Sequence, residues 1–232
     1  MQTKAKAKDL RYPFSWEERK PAIHQGVLFV PKYVGHHHEW NFPGWEDPAV
    51  FGKQSRVFIE YCSGNGAWIF TRAQKQPLDH WVAVEQKFDR ASKIWAKRQN
   101  SALSNLFVVL GEALTFTSCY ISKRSVDGVF INFPDPWPKL KHAKNRLLQA
   151  PFVKELSRVI KIGGEVVLVT DDAPYALQMQ KEMMAHPAFK PLFPEPYYAT
   201  EWPEYGSSYF DSLWRGKGKT IHYLRFVNCE CS

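Results

Sequence analysis

The stretch that decides the fold of this chain is Val57-Phe58-Ile59-Glu60-Tyr61-Cys62-Ser63-Gly64-Asn65-Gly66. Its apolar start predicts a buried strand, and Gly64 and Gly66 predict a tight turn that lets the backbone approach a ligand before a helix begins. A dinucleotide-binding turn would carry three glycines in the pattern G-x-G-x-x-G, but Cys62 occupies the first glycine position and the third glycine is missing. The N-terminus of the following helix is therefore better matched to the carboxylate of a methionyl group than to a pyrophosphate.

The alternation of strand and helix continues along the chain. Further apolar runs predict strands at residues 81–85, 106–110, 126–132 and 165–170, and helices are predicted at 67–76, 88–98, 153–160 and 174–184. We expect Gly163-Gly164 to end the helix over residues 153–160, because glycine commonly follows the last helical turn. Strands that alternate with helices are typical of βαβ units. The pattern predicts an α/β protein with a mostly parallel central sheet and helices on both faces.

Acidic residues follow the predicted strands, at the sheet edge where α/β proteins bind their ligands. They are Glu60, Glu85, Glu112, Asp135 and Asp171. Glu85 can accept hydrogen bonds from both hydroxyls of a ribose, and Glu112 could face an adenine amino group. Together these acids resemble the S-adenosylmethionine site of the Rossmann-like methyltransferases, and this resemblance predicts that cofactor.

The most specific motif follows the fourth strand and is Phe133-Pro134-Asp135-Pro136-Trp137-Pro138-Lys139. Three prolines fix φ and make this segment rigid. The carboxylate of Asp135 can bind the N1–H and exocyclic amine of guanine, and a base can stack on Trp137. The basic residues that come next can hold phosphate groups. They are Lys141, His142, Lys144 and Arg146.

This motif, with Lys161-Ile162-Gly163-Gly164, Thr170-Asp171 and Arg215-Gly216-Lys217-Gly218, resembles the bacterial tRNA (guanine-N7)-methyltransferase family over about residues 55–226. The resemblance implies methyl transfer from S-adenosylmethionine to N7 of guanine 46 (tRNA numbering) in the variable loop. It also implies roles for individual residues. The implied cofactor-binding residues are Glu60, Gly64, Gly66, Glu85, Glu112 and Asp135, of which Asp135 is also catalytic. The implied substrate-binding residues are Lys139, Asp171, Ser208 and Asp211, and the implied RNA contacts are Lys141, His142, Lys144 and Arg146.

The chain departs from the family pattern at a few positions. Ser208-Tyr209-Phe210-Asp211 stands where the family has T-x-F-E, so both polar ends keep their chemical type and change their size. Glu112 replaces the usual aspartate after the third strand, and Cys62 replaces a glycine. None of these departures touches Asp135, so the implied reaction is unaffected.

Composition limits the partners and the compartment. The chain has 31 Lys+Arg against 23 Asp+Glu, a formal net charge of +8, which favours a polyanionic partner such as tRNA. Four cysteines without a C-x-x-C spacing favour the reduced cytoplasm, and no apolar run approaches the ~18 residues of a membrane span. No metal-ligand spacing and no obligate protein partner are evident. Residues 1–50 are predicted to form a basic, Pro- and aromatic-rich arm that could touch RNA, and residues 51–232 the methyltransferase domain.

Two alternatives remain open from the sequence. A methyltransferase acting on another base would use an [N/D]-P-P-[Y/F/W] tetrad to receive an exocyclic amine, and the alternating prolines of residues 133–139 do not form one. A non-catalytic RNA-binding module that kept the fold would be expected to lose the strand-end acids, and Glu60, Glu85 and Asp135 are all present.

Overall fold

The computed structural model describes residues 4–15, 17–32, 37–206 and 208–229. The chain divides into two compact units, Met1–Ser122 and Lys123–Ser232. In the described part of the chain, no helix has the length and apolar composition needed to cross a bilayer.

The first unit is built on five strands, of which four are parallel. The strands are β1 (Ala22–His24), β2 (Val27–Phe29), β3 (Val57–Tyr61), β4 (His80–Glu85) and β5 (Leu106–Leu110), and the helices are α1 (Ala67–Lys75), α2 (Phe88–Ser101) and α3 (Ala113–Tyr120). Their order is β1-β2-β5-β4-β3, with β1 antiparallel to β2 at the edge. Every residue of β4 and β5 is buried, as expected for parallel strands covered on both faces.

The second unit continues the alternation and ends in antiparallel strands. Its strands are β6 (Val126–Asn132), β7 (Ile160–Thr170), β8 (Phe189–Pro191) and β9 (His222–Asn228), and its helices are α4 (Ala150–Val159), α5 (Ala173–Met184) and α6 (Tyr209–Arg215). The order is β6-β7-β9-β8, with β6 parallel to β7 and the other pairs antiparallel. The predicted α/β architecture with a mostly parallel sheet is thereby confirmed, and the antiparallel pairs at its ends are an addition to that prediction.

The prediction that Gly163-Gly164 ends a helix is wrong. Helix α4 ends at Val159, and both glycines lie inside β7. Val126 pairs with Ile160 and Gly128 pairs with Glu165, so four residues of β7 bulge opposite Asp127 alone. A Cβ at Gly164 would lie 2.7 Å from the carbonyl oxygen of Asp127, and Gly163 has φ +80°. Glycine is therefore required here by a strand bulge.

The described part of the N-terminal segment packs against the rest of the first unit. The backbone N–H of Ala5 donates to Asn100 Oδ1 at 2.8 Å, and Asn100 Nδ2 donates to the carbonyl of Ala5 at 2.9 Å. The ring of Tyr12 stacks on Phe88 with centroids 4.6 Å apart. Strand β2 then pairs with β5, so residues before 50 extend the sheet of this unit. The boundary at residue 50 stays a prediction, and Met1–Thr3 lie outside the described residues.

Candidate active site

The turn after β3 has the geometry that its glycines predicted. Gly64 and Gly66 have φ of +57° and +69°, and Cys62 has φ +61° although it carries a side chain. A Cβ at Gly66 would lie 2.7 Å from Ile94 Cγ1, so α1 can begin this close to α2 only with glycine there. Cys62 thus adopts a glycine-like backbone at the position where the family pattern has glycine. Glu60, the acid next to this turn, is 2% exposed.

Glu85 is the buried acid at the end of β4, and it is held by the neighbouring turns. Its two carboxylate oxygens accept backbone hydrogen bonds from Gly64 and from Lys87, each at 2.9 Å. A carboxylate oxygen can accept more than one hydrogen bond, so each oxygen can still accept a further hydrogen bond from a hydroxyl group. The orientation of Glu85 therefore fits the predicted contact with a ribose.

Glu112 follows β5 and acts as the N-cap of α3. Its carboxylate accepts hydrogen bonds from the backbone N–H groups of Leu114 and Thr115, at 3.0 and 2.7 Å, and from the hydroxyl of Thr115 at 2.7 Å. Capping of this kind stabilises a helix by about 1 kcal/mol. The local role of Glu112 is thus structural, and its contact with adenine stays a prediction.

The N-terminus of α1 fits the carboxylate of a methionyl group. Within the described chain no side chain caps this helix, and its first turn has no acidic residue. The first backbone N–H groups of a helix lack partners inside the helix and carry partial positive charge, which favours an anion. In the sheet order, β3 and β5 flank β4 in parallel, so their following acids lie along one edge. Binding of the methionyl carboxylate, the ribose and the adenine of S-adenosylmethionine by the α1 N-terminus, Glu85 and Glu112 stays a prediction.

The proline motif of the second unit presents an exposed carboxylate on a rigid loop. Asp135 is exposed and accepts a hydrogen bond from the backbone N–H of Trp137 at 3.2 Å. Phe133 and Trp137 have φ of +49° and +42°, a backbone conformation that residues other than glycine rarely adopt. The backbone N–H of Phe133 donates to Val169 of β7 at 2.8 Å, which attaches the loop to the sheet. Strained backbone that the surroundings hold in place is frequent at functional sites.

The basic segment after the motif separates into exposed and engaged residues. Lys139, Lys141 and Lys144 are exposed around a 3₁₀ helix over Leu140–Asn145, and the ring of His142 packs edge-on to Trp137 with centroids 5.8 Å apart. Arg146 instead donates from Nε to the carbonyl oxygen of Pro136 at 2.6 Å. Lys141 and Lys144, two of the predicted RNA contacts, are thus exposed to solvent, whereas the guanidinium of Arg146 already has partners inside the protein.

Asp171, which follows β7, is paired with a lysine that the sequence did not point to. Its carboxylate forms an ion pair with Lys219, and its side chain is only 11% exposed. The ammonium of Lys219 lies 4.3 Å from the ring centroid of Trp214, and that of Lys217 lies 4.7 Å from the same centroid. Asp171 and Lys219 are 48 residues apart, so no local pattern could have revealed this pair.

Ser208 is the N-cap of α6 and Asp211 lies in its first turn, and both side chains form hydrogen bonds within the protein. The hydroxyl of Ser208 caps the helix by accepting the backbone N–H of Asp211 at 3.1 Å. The buried carboxylate of Asp211 accepts a hydrogen bond from Nε of Arg215 at 2.9 Å and another from the hydroxyl of Tyr223. Burial, reinforced by the hydrogen bond to Asp211, raises the pKa of Tyr223 to about 12. The spacing of Ser208 and Asp211, S-x-x-D, is typical of a capped helix start, and Arg215 four residues after Asp211 is at the spacing of a helical ion pair. Direct contact of either residue with substrate stays a prediction.

Known proteins with the same sequence features identify the family. A family model described as a putative methyltransferase matches residues 54–224. A tRNA (guanine-N(7)-)-methyltransferase from Chlamydia abortus is 44% identical over 222 residues, which cover 96% of this chain and 97% of that relative. The chain belongs to the tRNA (guanine-N(7)-)-methyltransferase family. A member of this family from Nitrosococcus oceani is 32% identical over 178 residues, 77% of this chain and 74% of that relative.

Solved structures agree on the fold of this family member. The crystal structure of the 16S rRNA methyltransferase KamB aligns with a TM-score of 0.58 at 15% identity, covering 78% of this chain and 91% of that chain. The structure of a Haemonchus contortus phosphoethanolamine N-methyltransferase with S-adenosylhomocysteine aligns with a TM-score of 0.53 at 10% identity, covering 78% of this chain and 51% of that chain. At such identities the likeness concerns the fold alone, and it confirms the predicted Rossmann-like methyltransferase architecture.

Proposed function

We propose that this protein transfers the methyl group of S-adenosylmethionine to N7 of a guanine in tRNA, and that its target is guanine 46 in the variable loop. Family membership supports the reaction. The observation on this chain that carries the proposal is the exposed carboxylate of Asp135 in the rigid loop after β6. A reaction on tRNA further implies that the protein works in the cytoplasm.

The chemistry at guanine N7 does not require a general base. N7 carries a lone pair and no proton, so its attack on a methyl group releases no proton that a base must accept. S-adenosylmethionine supplies that methyl group on a positively charged sulfur. Catalysis then depends mainly on holding the two reactants in line, which can lower the activation free energy by several kcal/mol. Methylation moves positive charge onto the guanine, and the carboxylate of Asp135 would stabilise it.

Each group of candidate residues has its own role in this proposal. In the first unit, Glu85 would bind the ribose and the N-terminus of α1 would bind the methionyl carboxylate. Glu60 and Glu112 would complete the cofactor site. In the second unit, Asp135 and Asp171 would bind the guanine edge, with the remaining substrate contacts made by Lys139, Ser208 and Asp211. Phosphates next to the guanine would meet the exposed ammonium groups of the basic segment, Lys141 and Lys144, and the ring of His142.

The decisive experiment is to identify the product. The purified protein, S-adenosylmethionine and total tRNA lacking the mark should yield 7-methylguanosine, and borohydride followed by aniline should then cleave the tRNA at position 46. As a control, Asp135→Ala should lower turnover by about 10²-fold, by analogy with the loss of one preorganised electrostatic group. Its melting temperature should stay unchanged, because Asp135 is exposed on a loop.

Other products distinguish the competing functions. A different methylated nucleoside would show that the protein acts on another base. Binding of tRNA with no binding of S-adenosylmethionine would favour the non-catalytic RNA-binding module. Full turnover in Asp135→Ala would remove Asp135 from the mechanism while leaving the product assignment intact.

A further inference from the structure

Arg146 lies at the end of the basic segment, but its guanidinium is directed into the protein. Nε donates to the carbonyl oxygen of Pro136 at 2.6 Å, and Nη1 donates to Gln178 Oε1. The guanidinium carbon lies 4.9 Å from the ring centroid of Tyr175, within the range of a cation–π contact. The two hydrogen bonds use two of the five N–H groups of the guanidinium, and the contact with Tyr175 covers one of its faces, so groups of the protein fix its position.

The partners of Arg146 are themselves fixed. Tyr175 is fully buried on α5, and its hydroxyl accepts the backbone N–H of Leu148 at 3.2 Å. Gln178, one turn further along α5, also donates to the carbonyl of Leu148 at 3.3 Å. The carbonyl of Arg146 accepts Nε2 of Gln149 at 2.9 Å. The guanidinium is thus anchored to a helix that begins directly after Asp171 and Asp172.

The proline loop depends on such an anchor. Prolines have no N–H group, so Pro134, Pro136 and Pro138 cannot donate backbone hydrogen bonds. The bond from Arg146 to the carbonyl of Pro136 fastens the loop one residue after Asp135. One guanidinium therefore connects the segment that carries Asp135 to the helix that follows Asp171.

We propose that Arg146 is a positioning residue, which holds the Pro134–Pro138 segment and Asp135 against α5, and that it is not primarily a contact for tRNA phosphate. This role rests on the proposed methyl transfer. Arg146 acts through the carbonyl of Pro136 and does not touch the reacting atoms. Because in-line transfer is sensitive to displacements of about 1 Å, a small shift of Asp135 lowers turnover without changing the charge that attracts tRNA.

The experiment compares Arg146→Lys and Arg146→Ala in single-turnover assays at saturating tRNA and S-adenosylmethionine. Lysine keeps the charge but cannot donate to Pro136 and Gln178 at once while stacking on Tyr175. Positioning predicts that both variants lose ~10-fold to 10²-fold in the methyl-transfer rate, as expected for a displacement of this size. Their dissociation constants for tRNA, and the salt dependence of binding, stay at the wild-type values. Methylguanidine added to Arg146→Ala should restore part of the rate, and it should not help Asp135→Ala.

A second variant guards against loss of folding. Gln178→Met removes the other partner of the guanidinium without altering a charge, and it should lower the transfer rate with tRNA affinity unchanged. The proposal is overturned if Arg146→Lys keeps the wild-type rate, or if Arg146→Ala mainly weakens tRNA binding and reduces the salt slope. A wild-type protein that produces no 7-methylguanosine would contradict the proposed function itself, whereas an active wild type with a fully active Arg146→Lys variant would contradict only the role of Arg146.

Discussion

At the scale of single residues, Cys62 shows how the backbone constrains the sequence. With φ +61°, this position favours glycine, because a left-handed backbone costs a residue with a Cβ about 1–2 kcal/mol. At ordinary positions the order is reversed, since glycine loses more conformational freedom on folding than alanine.

We predict that Cys62→Gly is more stable than Cys62→Ala, by about 1 kcal/mol in the free energy of unfolding. Both variants remove the thiol, so their difference isolates the backbone effect. Urea unfolding monitored by circular dichroism gives the two values. A Cys62→Ala variant that is equally stable or more stable would show that the left-handed conformation is not costly at this turn.

Glu85 is the residue whose carboxylate has the best-defined orientation in the first unit. We predict that Glu85→Gln weakens S-adenosylmethionine binding about tenfold, because a charge-assisted contact with the ribose becomes a neutral one. Affinity for tRNA alone should be unaffected. Isothermal titration of the cofactor measures the change.

Glutamine also loses one of the two acceptor oxygens that hold the turns at Gly64 and Lys87, so the melting temperature is recorded alongside. Glu165→Gln, on β7 beside Arg225, is the matched control and should retain wild-type cofactor affinity. If Glu85→Gln binds S-adenosylmethionine with wild-type affinity, Glu85 only supports the turn and does not bind the ribose.

At the scale of elements, the 3₁₀ helix over Leu140–Asn145 carries exposed charge next to the proline motif. Each phosphate contact releases counterions, so affinity for tRNA should depend steeply on salt. We predict that Lys141→Ala with Lys144→Ala weakens tRNA binding and lowers the slope of log affinity against log salt by up to ~0.9 per lost contact. Filter binding over a range of salt concentrations measures both.

The matched control removes the same charge outside the segment that follows the proline motif. Lys75 ends α1, which leads back to the start of β4, and Lys123 precedes β6; both are exposed. The double variant Lys75→Ala with Lys123→Ala should keep the wild-type slope. Equal slopes in the two double variants would mean that net charge alone attracts tRNA and that the 3₁₀ helix has no special role.

At the scale of the whole molecule, a buried histidine couples folding to pH. His80 on β4 is fully buried and stacks on Phe51 with centroids 4.0 Å apart, and neither ring nitrogen has a hydrogen-bond partner among the described residues. Burial lowers the pKa of His80 below its ordinary value of 6.5, Lys53 lowers it further, and Asp79 opposes the shift. The unfolded chain therefore takes up a proton below about pH 6.5 that the folded protein does not.

It follows that His80 contributes stability above pH 6.5, and that this contribution is lost as the pH falls below that value. We predict that the free energy of unfolding falls more steeply between pH 7 and pH 5 in the wild type than in His80→Phe, which keeps the stack and cannot be protonated. One group changes this slope by at most about 1.4 kcal/mol per pH unit. Denaturant titrations at three pH values test this, and parallel curves would contradict it.

The sequence by itself determined the features that depend on neighbouring residues. The alternation of strands and helices, the acids after each strand and the rigid motif around Asp135 follow from local hydropathy and from proline geometry. Most predicted boundaries agree with the structure to within a few residues, because burial of a strand or a helical face leaves a periodic signal. The helix cap formed by Ser208 and the ion pair of Asp211 with Arg215 could also be predicted from the sequence, since they depend on spacings of three and four residues.

Only the tertiary structure decided the interactions between distant segments. The pairing of β6 with β7 places Gly163-Gly164 in a bulge opposite Asp127, although the local sequence is typical of a helix end. Lys219 reaches Asp171, and Arg146 turns from the basic segment to Gln178, 32 residues away. The physical reason is that hydropathy and charge patterns record what a residue prefers to contact, whereas the packing of the chain determines which partner comes within reach.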